Sequence, residues 1–329
     1  MSVSSSLAAT SARARPGWRA VLLALGAAAA VLPAFLLSDY RLFQLTTVGI
    51  YAIALLGLNV VTGYNGQISL GHGAFYALGA YVGAILMADY DVPYWATLPA
   101  AALVCAGVGY AVGLPALRLG GLYLALTTFA LAVAVPQILK YRGLEGWTGG
   151  VQGIVISKPD PPAGLKLSPD QWLYLFTLGV AALAFLLVWN LLRGRIGRAI
   201  LAIRDHPVAA EAMGVPLARF KTRIFAVSAM LTGVAGALGA IAVEFVAPDS
   251  FSFQLSITLF VGLIVGGVAS LGGAVCGAAF IVFVPNIADQ VSKAAPGAVY
   301  GVILIAFLYL MPDGIAGLAA RLARRAGFD

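Results

Sequence analysis

The sequence predicts an all-α polytopic membrane protein of about ten transmembrane or partly broken helices, with both termini in the cytoplasm. Three observations carry that expectation. Between Leu42 and Ala88 there is no Asp, Glu, Lys or Arg, a run long enough to cross a bilayer twice at roughly 20 residues per helix. Of the 329 residues, 61% are hydrophobic and 10% charged, whereas a soluble domain carries about 25% charged residues. The basic residues cluster between apolar runs instead of spreading evenly. Those runs are continuous and rich in Ala and Leu, unlike the alternation of about ten residues that marks a membrane β-barrel. The 39 glycines suit close helix packing in lipid.

Taken in order, apolar spans are expected at about 20–37, 42–61, 68–88, 95–117, 119–139, 171–192, 224–243, 253–270, 273–288 and 297–312. Residues 1–19 are rich in Ser and Ala and carry Arg13, Arg15 and Arg19; they read as a disordered cytoplasmic tail. The run after them is longer than a signal-peptide core and lacks a small-x-small cleavage site, so it is expected as a retained helix. Arg118 and Lys140 fence the 119–139 span. The two last spans are short enough to be tilted, broken or partly re-entrant.

Orientation follows from Lys and Arg near the span ends. The 193–223 loop holds Arg193, Arg195, Arg198, Arg204, Arg219, Lys221 and Arg223, and the end of the chain adds Arg321, Arg324 and Arg325. Ten spans place both tails and this loop on the cytoplasmic side. The organisation is then a transmembrane domain over 20–316 and a basic cytoplasmic tail over 317–329. A 140–170 loop lies outside, as do the Asp89/Asp91 and Glu244/Asp249 turns. Topology also explains the net charge of +7, so no nucleic-acid partner is implied.

Three stretches could carry function. In the cytoplasmic loop, Ile196, Ile200, Ile203, Pro207, Ala210 and Gly214 recur at helical spacing. Pro207 suits a first helical position, and Gly214 before Val215-Pro216 suits a stop. Two short helices, about 195–204 and 207–213, are expected against the membrane face as a docking element for a cytoplasmic partner; a solvated basic loop that only fixes orientation is the other reading. The candidate residues are Arg204 and Glu211 for polar contacts, Ile200, Ile203 and Met213 for an apolar anchor, together with Arg198 and Gly214. The second stretch is Gly63–Gly73, where Asn65, Gln67, Ser69 and His72 bring polar groups into an apolar setting. It is either a helix-packing turn or a broken helix lining a solute path, since freed backbone groups cannot face lipid. Thr127 and Thr128 are further candidates for that path. The third stretch is Thr148-Gly149-Gly150 with Gly153 in the external loop, a flexible connection or a structured mouth. Ser-Leu-Gly occurs at Ser69–Gly71 and again at Ser270–Gly272, from an internal repeat or by chance.

The spans carry almost no ionisable residue away from their ends, and the chain has no Gly-Lys dipeptide for a phosphate-binding loop. Active transport would therefore draw its energy from another polypeptide. Two cysteines, Cys105 and Cys276, and two histidines give no disulfide framework, metal spacing or hydrolytic set. No catalytic residue, metal site or enzymatic activity is expected.

The segment from Gly57-Leu58-Asn59 through Gly63-Tyr64-Asn65-Gly66-Gln67-Ile68-Ser69-Leu70-Gly71-His72-Gly73-Ala74-Phe75, with Gly79-Ala80-Tyr81, resembles the hallmark of branched-chain amino-acid ABC transporter permeases. Gly197-Arg198-Ala199 through Arg204-Asp205 and Ala209 to Gly214 is similar to that family's ATPase-contact loop. Gly121 to Thr128 and Thr148-Gly149-Gly150 resemble the LivM-type subunit more than the LivH-type. The resemblance spans about residues 40–315. It implies a LivH-type second permease, two cytoplasmic ATPases that hold ATP and Mg, an extracytoplasmic solute-binding protein and no cofactor on this chain. It also implies a multi-pass protein of the bacterial inner membrane that imports branched-chain or other neutral amino acids by alternating access. Relatives that import urea, short amides or aromatic acids keep the substrate open. A stand-alone channel or facilitator is the alternative of another class, and a membrane scaffold without transport is a third.

Overall fold

In the computed structural model, residues 29–116, 121–162, 166–293 and 295–325 are described. The tail 1–19, the first part of the 20–37 span, Arg118 and residues 326–329 lie outside them. A short α1 (Pro33–Leu36) precedes α2 (Asp39–Leu58), which runs into a wide π-helical turn over Asn59–Tyr64. After a non-helical stretch come α3 (His72–Ala88), α4 (Tyr94–Ala116) and α5 (Leu122–Leu139). The connection after α5 holds α6 (Glu145–Thr148) and β1 (Ile154–Val155). Then follow α7 (Pro169–Arg193), α8 (Arg195–Asp205), α9 (Pro207–Ala212), α10 (Leu217–Val243), β2 (Phe245–Val246) and a 3-10 turn, Pro248–Phe251. The chain closes with α11 (Phe253–Gly266), α12 (Leu271–Val291), α13 (Pro296–Leu310) and α14 (Gly314–Arg325).

The protein is an all-α polytopic membrane protein. Among the described residues, seven helical stretches are long and apolar enough to cross a membrane, and His72–Ala88 and Tyr123–Leu139 are shorter apolar helices. The 273–288 and 297–312 spans are each continuous helices, with Pro285 inside α12. The 68–88 span begins late, at His72, because Asn65 to Gly71 is not helical. The basic segment after residue 317 is helical through Arg325, as the continuation of α14.

The helix α10 is the axis of the bundle, in contact with α2, α3 and α4. Its sequence makes this possible, since small residues at 229, 233, 236, 237, 239 and 240 let neighbouring backbones come close. A Cβ at Gly79 would overlap the Gly233 carbonyl, and one at Gly236 would overlap the Tyr76 carbonyl. The lipid-facing surface is instead large and apolar, with Leu103 on α4 and Ile305 on α13 mostly exposed. At the start of α7 Trp172 donates to the Tyr94 hydroxyl at 3.0 Å, and at its other end the Arg193 guanidinium lies 4.0 Å over Trp189. Such amphipathic rings favour the membrane–water boundary.

Replacing Gly236 by Val is expected to lower thermal stability in detergent by about 1–3 kcal/mol or more, because the added methyls meet backbone. Replacing Gly107 by Ala, where the new methyl meets open space, should be neutral or slightly stabilising. Thermal unfolding of the two purified variants checks both.

Candidate functional site

The Gly63–Gly73 segment enters the bundle interior, where every freed backbone group needs a partner. It finds them locally and from three other helices. The Val61 carbonyl accepts from the Gln67 amide at 3.0 Å, and the Thr62 hydroxyl donates to the Gln67 carbonyl at 3.1 Å. The Leu70 amide donates to Thr128 Oγ1 of α5 at 2.9 Å, and the Gly73 amide to Ser256 Oγ of α11 at 2.9 Å. Gly66 takes φ 71°, a conformation open to glycine, and so permits the sharp turn back.

His72 sits at the centre of a chain of hydrogen bonds. Its Nδ1 is 3.0 Å from Ser69 Oγ and its Nε2 is 2.6 Å from Ser228 Oγ. Ser228 spends its own proton on the Gly57 carbonyl at 2.5 Å, so it accepts from His72. The proton therefore lies on Nε2, and Nδ1 accepts from Ser69. Phe75 and Phe225 pack edge-on against the ring. Both nitrogens are committed, which makes His72 a clamp between α3 and α10.

Five of the six candidate path residues meet in this region. Asn65, Gln67, Ser69, His72 and Thr128 are all buried. Thr127 is turned away and exposed, and its hydroxyl donates to the Tyr123 carbonyl one helical turn earlier. Asn65 Nδ2 donates to Gln67 Oε1 at 2.6 Å, while Asn65 Oδ1 is buried without a partner among the described residues. Sequence reasoning missed Ser228 and Ser256, the hydroxyls that complete the network. Their signal is a serine inside a run of apolar helical residues. A cavity of about 330 Å³ lies elsewhere, between α2 and α7, and is lined almost wholly by apolar groups such as Leu45, Ala181 and Phe185.

The basic loop forms the expected helical hairpin. Pro207 stands at the first position of α9, and Gly214 ends it with φ 82°. Ile200 and Ile203 are buried within this chain, so the apolar stripe fastens the hairpin to its own bundle. Val208 and Met213, 79% and 85% exposed, are the most exposed of the large apolar groups that remain outward. Arg198 and Glu211 are exposed as well. Arg204 points back inside: its Nη1 donates to the Gly63 carbonyl at 3.3 Å and its Nε to Asp205 at 2.9 Å.

Residues 145–158 of the connection between α5 and α7 are structured. Thr148 is buried, its Oγ1 lies 2.9 Å from the Leu139 carbonyl and it accepts from the Gly150 amide. Gly149, Gly150 and Gly153 have positive φ. β1 and β2 pair antiparallel, Ile154 opposite Val246, and so tie the loop to the end of α10. Lys158 reaches Asp170 at 2.9 Å and Glu244 at 3.1 Å. Burial alone would depress its pKa, but the hydrogen bonds and charges of Asp170 and Glu244 outweigh it and raise the value above the ordinary 10.5.

With this geometry in view, the comparisons place the chain. The family described as branched-chain amino acid transport system / permease component matches residues 40–311. The chain belongs to this permease family. It is 36% identical over 256 residues to the high-affinity branched-chain amino acid transport system permease protein LivM of Salmonella typhimurium, covering 71% of this chain and 60% of that one. It is 37% identical over 244 residues to LivM of Escherichia coli, covering 67% and 57%. The match thus spans somewhat under two thirds of the length of these relatives. The E. coli permease protein LivH is 24% identical over 317 residues, covering 86% of this chain and 96% of LivH. The solved structure of PsaBC from Streptococcus pneumoniae in complex with Fab aligns over 86% of this chain and 94% of that one. Its TM-score of 0.42 and 13% identity make it too distant to bear on the site.

The Lys158 junction gives a signed pH expectation. A raised lysine pKa contributes stability that is present in full below about 10.5 and is lost as pH climbs through the folded value. The thermal midpoint of this permease should exceed that of Lys158→Met by a constant margin from about pH 7 to 10, and the margin should shrink at higher pH. Paired thermal scans across that range test it.

Proposed function

We propose that the chain is a transmembrane permease subunit of an ABC importer for branched-chain or other neutral amino acids. The observation that carries this reading is the α8–α9 hairpin. It is anchored to its own bundle by Ile200 and Ile203 yet presents Val208, Met213, Arg198 and Glu211 outward. A solvated connecting loop needs no such arrangement, whereas a lever pushed by a partner does. Membership of a permease family supports the same reading.

The chain works with a LivH-type permease, two cytoplasmic ATPases and an extracytoplasmic solute-binding protein. ATP and Mg are held by the ATPases, whose closure moves the hairpin and alternates access. Ten spans, counting one over 20–37, keep both termini and the hairpin in the cytoplasm of a bacterial inner-membrane protein. Thr148, Gly149 and Gly150 stiffen the external face that meets the binding protein. The solute passes the 65–72 turn, where Asn65 Oδ1 offers a free acceptor to an ammonium group and the Ser69–His72–Thr128 network forms the wall.

Val208→Asp and Met213→Asp should each weaken ATPase association roughly tenfold or more, from lost apolar burial, while leaving the chain inserted. Co-purification with the cognate ATPases and ATP-dependent leucine uptake in proteoliposomes check this. Passive leucine flux through the purified chain alone would favour a facilitator and overturn the proposal.

A further inference from the structure

The wide turn Asn59–Tyr64 is gripped from two sides. On one side stands the hairpin. Arg204 donates to the Gly63 carbonyl, and its Cγ lies 3.0 Å from where a Gly66 Cβ would be. On the other side stands the second break in the bundle, Gly267 to Ser270 between α11 and α12. Asn59, fully buried, donates from Nδ2 to the Ser270 carbonyl at 2.8 Å and accepts on Oδ1 from the Ala269 amide at 2.8 Å. One side chain thus mimics a strand partner for two successive residues.

The grip is close. A Cβ at Gly63 would stand 2.6 Å from the Ala269 amide nitrogen. Ala269 itself holds φ 59° and Gly267 φ 115°, so this break keeps a left-handed path that few residues adopt. Gly267 in turn lies against Ala316 and the Asp313 carbonyl at the start of α14. The hairpin, the two breaks and the C-terminal helix therefore form a continuous series of contacts. At its centre is a π-helical turn, an element that lacks the regular α-helical bonding and is frequent at functional sites.

We infer that Arg204 and Asn59 are positioning residues that join the hairpin and both helix breaks into one moving unit. The inference rests on the reading that partner ATPases drive the hairpin. Displacement of α8 pulls the Gly63 carbonyl through Arg204. The π turn moves with it, and Asn59 carries the 267–270 segment and α14 along. Arg204 then serves the coupling from within the chain. Asn59 is needed because an apolar side chain there would leave the Ala269 amide and the Ser270 carbonyl buried without partners.

The test uses the whole transporter with its ATPases in nanodiscs, in a Cys276→Ser background. Spin labels go on Ile196→Cys, on the hairpin but outside the residues proposed to meet the ATPase, on Val268→Cys and, as an external reference, on Val151→Cys; the three residues are 46%, 50% and 66% exposed. Pulsed electron resonance then reads the 196–151, 268–151 and 196–268 distances with and without trapped ATP. In the parent protein both distances to residue 151 should shift with ATP while 196–268 stays fixed. In Asn59→Ala the shift at 268 should vanish while that at 196 remains. Arg204→Ala should give the same loss, and its half-exposed side chain makes it a substitution the fold tolerates; Arg204→Lys, which can still donate to the carbonyl, should recover part of it. A shift at 268 that survives in both Ala variants, or a parent in which 196 moves and 268 does not, would overturn the inference alone. No nucleotide response at 196 would overturn the proposed function and the inference together.

Discussion

The constraint on which the structure turns is the satisfaction of backbone polar groups where helices break inside an apolar bundle. An α-helix in lipid closes its own hydrogen bonds, and any interruption must be repaid by neighbours. Among the described residues, two such interruptions follow Tyr64 and Gly266. The first interruption is satisfied by Thr62, Thr128, Ser256 and Arg204, and the second by Asn59. The polar side chains of the interior are thus concentrated where the backbone leaves the helix.

Close helix packing follows from the same economy of space. Hydroxyls on α10 and α11 can reach the backbone of α2 and α3 respectively only because the helices approach closely, and glycine on both faces allows that approach. Ser228 shows the two demands in one residue: it reaches Gly57 of α2 and accepts from His72 of α3. Around this interior the outer helices carry large apolar side chains, as lipid contact requires. The ends of the bundle differ in character. One is stitched by the β1–β2 pair and by the Lys140–Asp249 and Lys158 ion pairs, while the other presents a hairpin with apolar and basic groups outward.

That asymmetry bears on function. One end stitched by strand pairing and ion pairs, and an opposite end that presents a hairpin, agree with the proposed importer, in which a partner moves one side only. The polar knot at His72 lies between them and joins α2, α3 and α10. Its groups are almost all committed to one another, so it acts first as a structural element, and Asn65 Oδ1 is the acceptor left over.

Much of this was legible in the sequence. Composition and the charge-free run fixed the fold class, and the spacing of Ile196, Ile200, Ile203 and Ala210 with Pro207 and Gly214 located the hairpin almost to the residue. The 193–223 charges carry the expectation that the hairpin lies on the cytoplasmic side. The start of α7 was placed late because Ser168-Pro169-Asp170-Gln171, a capping box that lies before the apolar run, carries the boundary. The tertiary structure decided what spacing cannot: that Ile200 and Ile203 face inward, that Arg204 turns to Gly63, that Thr127 and Thr128 diverge, and that Asn59 bridges residues about 210 positions away. Local pattern follows from the period of a helix, which the chain carries in itself. Partnership between distant polar groups depends on which helices lie side by side, and in a bundle of uniformly apolar segments that is set by packing alone.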